Sequence, residues 1–455
     1  MPHHAMVTIK RRASSREEED EEKKKKKRAD NNEISSKDKL DKLAAWASEC
    51  GFDLGGNVSL EEVEGMGGAV VAKSDLNADE VVVRVPPEYI IDGSYIKVPR
   101  QDEPIMLGNI LGLCLQHCVE NGEVKREDRP RLRVVLHLLC EKFIPKLANF
   151  EPYVNALPET IRGIPKENDL LIDGTHLQST IRKRREKVEA WHRALFSKNP
   201  AKMLLPEWRS LDTFAWACDI FFSRAIRVPL GPFGQDLECL VPVMDMMNHR
   251  HGAISRIERC PDGRLGVKIA SRTSAGDQLC INYGALSNEC LLSNFGFAIK
   301  DNPCDVVYLD GGRMKLFRES IPQETFDRAR KMDMEYPPPP SQVKADPRRV
   351  TGMQVYGREE TVEFDMRSAI FDDDILRDIG EPLCGGNERG AIAILLDLIE
   401  RCMSKILSCL QRETTATYAC FFRYYAAGQL EILAESKERL GKMLAMLEMS
   451  ASHNK

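Results

Sequence analysis

Two short stretches decide the fold of this chain. Residues 241–249 read VPVMDMMNH, an apolar run that ends in Asn248 and His249. Residues 280–284 read CINYG and place Tyr283 at the end of a second β-rich run. Apolar and β-branched runs predict strands, so the sequence places polar side chains at two strand ends. Taken singly, each has a structural explanation: a polar loop exit for the Asn-His pair, and a buried, hydrogen-bonded hydroxyl for the tyrosine.

Length and composition indicate a globular chain of about two or three domains. It has 455 residues, 42% of them hydrophobic, which is enough to build a core in each domain. The net charge of -5 supplies no overall positive field, so no direct nucleic-acid binding is expected. No apolar run reaches the roughly 18 to 20 residues that span a bilayer. We therefore expect a soluble protein without membrane contact. We also expect a monomer.

The cysteines predict neither a disulfide framework nor a metal site. There are 14, no two of them form a CxxC pair, and no ligand-type side chain falls at metal spacing with His249. We therefore expect reduced thiols, as in the cytosol or the nucleus, and no bound metal.

The first 37 residues form a charged segment. Basic groups at residues 10–12 and 23–28 flank an acidic block at residues 17–22. Such a segment cannot bury enough apolar surface to fold, so residues 1–37 are expected to be a disordered tail. The basic run is either a solvated tail or a functional segment, namely a nuclear-import signal or a contact with an acidic partner. We expect localisation in the cytoplasm, the nucleus or both, because the acidic residues disfavour a plastid transit peptide.

The folded part is expected to open with a helix and a hairpin-like unit. Residues 39–50 have helical spacing, and Gly51 follows as a helix stop. Residues 64–72 enter a strand through a glycine loop, and residues 81–86, which are rich in valine, follow as its partner strand. Glycines between strands mark a turn, or they let the backbone approach a ligand closely.

The middle and the end of the chain are expected to be largely helical. Residues 104–209 look like a helical block inserted between two β-rich parts, and strand signals then return until about residue 305. The strands are expected at residues 240–243, 267–269 and 278–281, with a turn at 261–263. Beyond them, two long helices are expected at residues 395–410 and 430–449, after a proline run at 336–340 that predicts an extended loop.

Arg224 stands at the end of a predicted helix, Phe214 to Arg224, that carries one Trp. A single arginine in that place is either a surface ion-pair partner or a residue that holds a carboxylate through two N–H groups. The four-residue basic run at 182–185 is expected to be a solvated helix face, because nucleic-acid binding would need stacking aromatics nearby and only Trp191 is close.

In order along the chain, these motifs resemble those of the Rubisco large-subunit methyltransferase-like branch of SET-domain proteins, which also includes the actin-histidine methyltransferase. The motifs that resemble those of this branch are EGMG at 64–67, SR at 223–224, DMMNH at 245–249, YG at 283–284 with SN at 287–288, and FGF at 295–297. Residues 151–158 and 170–175 look like the inserted helical segment of that branch, and residues 422–429 look like its C-terminal domain. The resemblance covers residues 38 to 450.

The resemblance implies an α+β fold. Residues 38–305 would form a SET domain of small twisted β-sheets, with the inserted helical segment at about 104–209. Its chain would thread through a loop as a pseudoknot and bring Asn248 and His249 beside Tyr283. Residues 306–455 would form an all-α substrate-binding domain.

The resemblance also implies a cofactor and roles for particular residues. S-adenosyl-L-methionine would be surrounded by Glu64, Gly65, Met66, Arg224, Asp245, Asn248, His249 and Phe297, with Arg224 on its carboxylate. The protein substrate would present a lysine side chain near Ser223, Ile226 and Phe295, and Tyr283 would be the catalytic residue.

Methyl transfer from a sulfonium to an amine is an in-line displacement, so alignment and electrostatics supply most of the catalysis. Lysine has an ordinary pKa of about 10.4 and must react neutral, a form that an apolar channel favours. The Tyr283 hydroxyl and nearby carbonyl groups would orient its lone pair.

Two departures bear on the substrate. Phe295 stands where many relatives have a tyrosine, which removes a hydroxyl from the predicted lysine channel. Ile226 stands where the actin-histidine enzymes have an asparagine, and an apolar side chain cannot hydrogen-bond imidazole. We therefore expect a lysine methyltransferase. A histidine methyltransferase of the actin type and a catalytically silent SET protein that acts as a binding module are the alternatives.

Overall fold

A computed structural model describes the folded parts of the chain, namely residues 35–96, 107–143, 150–161, 163–197, 209–229, 236–250, 253, 255–313, 361–366, 388–412, 414 and 418–453. The charged groups at residues 10–12, 17–22 and 23–28, and the proline run at 336–340, lie outside the described residues.

Within those ranges the helices are α1 (Ser36–Glu49), α2 (Leu107–Glu120), α3 (Arg129–Phe143), α4 (Glu151–Ala156), α5 (His176–Phe196), α6 (Leu211–Arg224), α7 (Asn288–Phe295), α8 (Glu388–Leu410) and α9 (Ala419–His453). The strands are β1 (Val58–Val63), β2 (Gly67–Ala72), β3 (Val81–Val85), β4 (Ile226–Val228), β5 (Leu237–Cys239), β6 (Arg256–Arg259), β7 (Leu265–Lys268), β8 (Val307–Arg313) and β9 (Thr361–Met366).

The first helix is confirmed and starts earlier than predicted. Ser35 caps α1: its hydroxyl accepts from the Asp38 N–H at 3.1 Å, and the Asp38 carboxylate accepts from the Ser35 N–H at 3.3 Å. This reciprocal pair satisfies two N–H groups that a helix start leaves open. Leu40 and Leu43 lie on the buried face of the helix.

The predicted hairpin-like unit of residues 64–72 and 81–86 is wrong in its pairing. β1 pairs with β2, from Val58 opposite Ala72 to Val63 opposite Gly67, so the glycine loop is the turn of that hairpin. β3 instead pairs with β7, and β7 pairs with β6 to complete an antiparallel sheet. Strand propensity marks residues 81–85 as a strand and carries no information on a partner so distant in sequence.

The predicted helical character of residues 104–209 and the turn at residues 261–263 agree with the structure. Helices α2 to α5 occupy the insert, and residues 261–263 connect β6 to β7 with Arg259 opposite Leu265. The basic run is corrected at one position. Arg182, Lys183 and Arg185 are exposed, but the Arg184 side chain is only 15% exposed and donates to Asp219 Oδ1 at 2.6 Å.

Two hydrophobic cores organise the described residues. One joins α1, the small sheets, α3 and α6, and the other joins the turn at residues 170–172 to α7, β8, α8 and α9. The long C-terminal helices are confirmed. The all-α expectation for residues 306–455 is wrong in part, since β8 and β9 form an antiparallel pair there. These strands are separated by residues 314–360, so no local hairpin signal marks them.

Asp305 is a buried carboxylate next to the second core. Its carboxylate accepts from the Asn288 N–H at 2.6 Å and from Asn288 Nδ2 at 2.8 Å. Next to it, Gln429 on α9 donates through Nε2 to the Val306 carbonyl at 2.5 Å. Buried polar groups of this kind have hydrogen-bond partners, and the bond from Gln429 ties α9 to the segment before β8. Among the described helices, none is both long and apolar enough to cross a bilayer.

Candidate functional site

The two stretches at residues 241–249 and 280–284 meet in the folded chain. His249 and Ile281 form an isolated parallel bridge. The Ile281 N–H donates to the Asn248 carbonyl at 3.0 Å, and the Arg250 N–H donates to the Ile281 carbonyl at 3.2 Å. These main-chain bonds place the Asn-His pair beside the segment that carries Tyr283.

The strand predicted at residues 240–243 is wrong in position: Leu240 forms only an isolated bridge to Ile91, and the chain turns sharply after it. β5 stops at Cys239, and the 3₁₀ turn Met244–Met246 follows. Val243, just before that turn, has a φ of +70° and a ψ of -48°. A β-branched residue at positive φ is a strained outlier, at a cost of about 1 to 3 kcal/mol. This turn aims the segment with Asn248 and His249 toward Ile281.

Tyr283 is held from two sides. Its hydroxyl donates to the Met247 carbonyl at 3.0 Å, and its backbone N–H donates to His249 Nδ1 at 3.1 Å. Burial raises the pKa of the Tyr283 phenol to about 12, so the group stays protonated throughout the physiological range. An N–H donor at Nδ1 leaves Nε2 as the protonated nitrogen of a neutral His249 ring.

Tyr283 is one of a group of four aromatic rings. Its ring centroid lies 5.1 Å from that of His249 and 4.9 Å from that of Phe295. Phe297 completes the group, 6.1 Å from His249 and 6.2 Å from Phe295. Gly296, in the left-handed conformation, ends α7 between the two phenylalanines. The structure thus brings together the four aromatic residues that the sequence predicts for the substrate and cofactor positions.

Arg224 is the last residue of α6 and lies next to the 3₁₀ turn. Its side chain is 17% exposed, and Nη1 donates to the Asp245 carbonyl at 3.0 Å. The same nitrogen lies 3.4 Å from Met246 Sδ. The Met246 sulfur also borders Gly68 of β2, where a Cβ would come within 3.2 Å of it. Met246 therefore connects Arg224 with the hairpin that carries the glycine loop.

The Asp245 carboxylate lies deeper than sequence analysis expected. Its side chain is fully buried, and the buried Tyr153 of α4 donates its hydroxyl to Oδ2 at 2.5 Å. Oδ1 lies 4.0 Å from Arg224 Nη1 and has no hydrogen-bond partner among the described residues. Burial raises the pKa of Asp245 to about 6, while Arg224 and the Tyr153 hydroxyl act in the opposite direction. A cofactor would meet this residue through its main chain and through Arg224.

Tyr153 is a residue that sequence reasoning missed. It was identified only as part of the segment 151–158 that resembles the family insert. A fully buried tyrosine in a helix between Glu151 and Ala156 carries no signal of its own, because its partner Asp245 lies 92 positions away.

The glycine loop is open on the outside. Gly65 has a φ of +75° and Gly67 a φ of +79°, and a Cβ at either would meet no atom within 4 Å. Glycine is thus required by backbone conformation, and the space beside the loop can admit a ligand. Glu64 is exposed at its base, and Met66 at its tip is 62% exposed.

Gln278 links this loop to the Asn-His pair, and sequence reasoning missed it as well. Its Oε1 accepts from Asn248 Nδ2 at 2.8 Å, and its Nε2 donates to Met66 Sδ at 3.5 Å. Gln278 also bridges to Val71 of β2, which fixes its backbone. The strand predicted at residues 278–281 is present as single bridges to two different partners.

Ser223 and Ile226, predicted to lie near the substrate, flank Arg224. The Ser223 hydroxyl donates to the Asp219 carbonyl at 2.7 Å, within its own helix. Ile226 begins β4 opposite Cys239 and is half-buried. Within the described ranges, no three His, Cys, Asp or Glu side chains lie close enough to hold a metal ion. The roles of these residues in binding stay predictions.

The residues present fit S-adenosylmethionine. The site offers a cationic side chain for a carboxylate, bonded to the 3₁₀ turn at Asp245, and open space beside a glycine loop. Arg224 would hold the carboxylate of the cofactor, and Asn248 and the loop would contact the rest of its amino-acid portion.

Comparison with known proteins agrees with the motifs. No family model matches the chain. An actin-histidine N-methyltransferase of Danio rerio is 25% identical over 295 residues, which cover 61% of this chain and 45% of the relative. The protein-lysine N-methyltransferase EFM1 of Saccharomyces cerevisiae is 25% identical over 304 residues, which cover 59% of this chain and 51% of the relative. The chain spans about half the length of the curated relatives it matches.

Solved structures give a longer match. Rubisco LSMT bound to AdoMet has a TM-score of 0.59 at 19% identity, over 90% of this chain and 93% of that one. The SET domain of LSMT bound to lysine and AdoHcy has a TM-score of 0.60 at 18% identity, over 90% and 92%. The predicted α+β fold is therefore confirmed: the chain has the SET-domain fold of the Rubisco LSMT structures, and its sequence resembles the branch of SET-domain proteins that contains the actin-histidine methyltransferases and EFM1.

Proposed function

We propose that this chain is an S-adenosylmethionine-dependent protein methyltransferase and that its substrate residue is a lysine. The observation that carries the proposal is the position of Tyr283, whose hydroxyl is bonded to the Met247 carbonyl while its ring packs at a tilt against His249 and Phe295. A hydroxyl at the end of an aromatic wall is suited to aligning an amine.

The cofactor assignment is supported by the fit of the site and by the solved structures of the same fold that hold AdoMet or AdoHcy. The similar proteins are named as methyltransferases of protein histidine or lysine residues, which supports a protein substrate. When bound, S-adenosylmethionine would supply an electrophilic methyl group for in-line transfer to a nitrogen atom.

The residues of the chain align the nucleophile and do not abstract its proton. Because the pKa of Tyr283 is raised to about 12, its phenol is a poor proton acceptor at neutral pH. Its O–H is already directed to the Met247 carbonyl, so the oxygen lone pairs are available to accept from an amine N–H. Aromatic surroundings lower the pKa of an entering ammonium group by desolvation, which favours the neutral amine.

Lysine is favoured over histidine by Ile226. This residue lies two positions after Arg224, where an apolar side chain offers no hydrogen bond to an imidazole. The similarity to actin-histidine N-methyltransferases supports histidine as the second candidate. The localisation in the cytoplasm or nucleus is part of the proposal.

The test is methylation of a proteome. Purified protein is incubated with radiolabelled S-adenosylmethionine and an extract from a host that lacks this gene, and the labelled residue is mapped by mass spectrometry. Label on lysine is the expected result. Label on histidine would support the second candidate. A protein that binds the cofactor and labels nothing would instead support a silent SET protein that acts as a binding module.

A further inference from the structure

The polar contacts that join Asn248, Gln278 and Met66 have a defined direction. Met66 ends in a thioether, whose sulfur carries no hydrogen and can only accept. The Gln278 amide must therefore turn its NH₂ group toward Met66 Sδ, 3.5 Å away. Its Oε1 then faces Asn248, and only the NH₂ end of the Asn248 amide can donate to it, at 2.8 Å. One sulfur atom thus sets the orientation of two amide groups.

This direction matters for the ligand. Because the NH₂ end of the Asn248 amide faces Gln278, the acceptor Oδ1 is at the other end of the side chain and is the group offered to a ligand. The amino-acid end of S-adenosylmethionine carries an ammonium group, which can only donate hydrogen bonds. An asparagine turned the other way would present its NH₂ group to the ammonium, and two donors repel each other.

We infer that Gln278 is a positioning residue of the cofactor site, which fixes the Asn248 side chain with Oδ1 toward the cofactor ammonium and ties the glycine loop to it through Met66. The inference rests on the proposed function. Its support is independent of the motifs, because Gln278 belongs to none of them. Its backbone is held by the bridge to Val71 and by the Ala72 N–H, which donates to the carbonyl of the preceding Asp277 at 2.9 Å.

The test is a double-mutant cycle read as cofactor-product affinity. S-adenosylhomocysteine binding is measured by calorimetry for the wild type, Gln278→Met, Asn248→Ala and the double variant. Methionine keeps the length of glutamine without its amide. Gln278→Met alone is expected to weaken binding about three- to tenfold, the range of one ordinary hydrogen bond. In the background of Asn248→Ala it should add almost nothing, because Gln278 acts through Asn248.

A second ligand separates positioning from loss of structure. 5′-Methylthioadenosine lacks the amino-acid end, so its affinity should be the same in the wild type and in Gln278→Met. Met66→Leu keeps the bulk of the loop tip and removes the accepting sulfur. It should weaken S-adenosylhomocysteine binding in the same direction and by less. Asp277→Asn, a change on the exposed neighbour, is the matched control and should leave both affinities unchanged.

The outcomes are distinguishable from a failure of the proposed function. A wild-type protein that is folded and binds no S-adenosylhomocysteine removes the proposed function. Binding by the wild type with additive losses in the cycle overturns only the inference about Gln278. An equal loss of 5′-methylthioadenosine affinity in Gln278→Met also overturns it, since that result indicates a collapsed glycine loop.

Discussion

Arg224 and Met66 lie at two ends of the proposed cofactor site, and the chain supports them in different ways. The Arg224 guanidinium is 17% exposed, bonds to a main-chain carbonyl and has the buried Asp245 carboxylate behind it, itself held by Tyr153. Met66 is 62% exposed, and its contact to Gln278 is one weak hydrogen bond on an open loop. Charge recognition needs a preorganised frame, whereas a loop that must admit a ligand cannot be packed on its outer side.

The largest expected effect is at Tyr283, which belongs to the buried half of the site. Tyr283→Phe keeps the ring in the aromatic group and removes only the hydroxyl bonded to Met247. We expect the chemical step to slow about a hundredfold or more while cofactor affinity holds, as for other preorganised polar groups. Single-turnover rates and calorimetry measure the two quantities. Unchanged turnover would remove this residue from the mechanism.

Arg224→Ala tests the buried end of the proposed cofactor site. We expect S-adenosylmethionine affinity to fall about ten- to a hundredfold, since a hydrogen bond to a charged group contributes about 1.5 to 3 kcal/mol. The matched control is Arg182→Ala on the exposed face of α5, which should leave affinity unchanged. If Arg224→Ala lowers the melting temperature and leaves affinity intact, the residue is only a structural ion-pair partner.

Asp245→Asn tests the burial of the Asp245 carboxyl through the pH dependence of folding stability. Because the pKa of Asp245 is raised from 3.8 to about 6, the folded chain binds this proton more tightly than the unfolded chain. Its contribution to stability is full below about pH 4 and is lost as the pH rises through 6, a change of about 3 kcal/mol.

Asparagine does not titrate, so the melting temperature of Asp245→Asn relative to the wild type should rise by a few degrees between pH 4 and pH 7. Thermal unfolding across this range measures the difference, with Asp277→Asn on the exposed turn as control. A difference that is constant with pH contradicts the assignment.

The smallest effect is expected at the open end of the site. Gly65→Ala places a Cβ in free space but at a φ of +75°, so we expect a loss of about 1 kcal/mol in the free energy of unfolding. Gly56→Ala is its match, with a φ of +65° and no atom within 4 Å. Both variants should lose similar stability, and only Gly65→Ala should also lose cofactor affinity. Equal cofactor affinities in the two variants would show that the glycine loop is not part of the cofactor site.

The same contrast explains what could be predicted from the sequence. Periodicity predicted α1, α3 and α6 because their spacing is local, and the ordered motifs predicted that Asn248 and His249 would meet Tyr283. Tyr153 and Gln278 were not predicted, because their residue types carry no signal of a role. Their partners, Asp245 and Asn248, lie 92 and 30 positions away in the sequence. Arg184 was expected in solvent, since its three basic neighbours are, and only the packing of α5 on α6 shows that it faces inward.

The pairing of β3 with β7 also has a consequence for synthesis of the chain. Val81 lies opposite Lys268, so β3 leaves the ribosome with its partner about 190 residues behind. At translation rates of about 5 to 20 residues per second, that delay is on the order of 10 to 40 seconds. During this time the edge of β3, rich in valine, is open to other chains. The helices of the insert, made of local contacts, can form in this interval, before the sheet is closed.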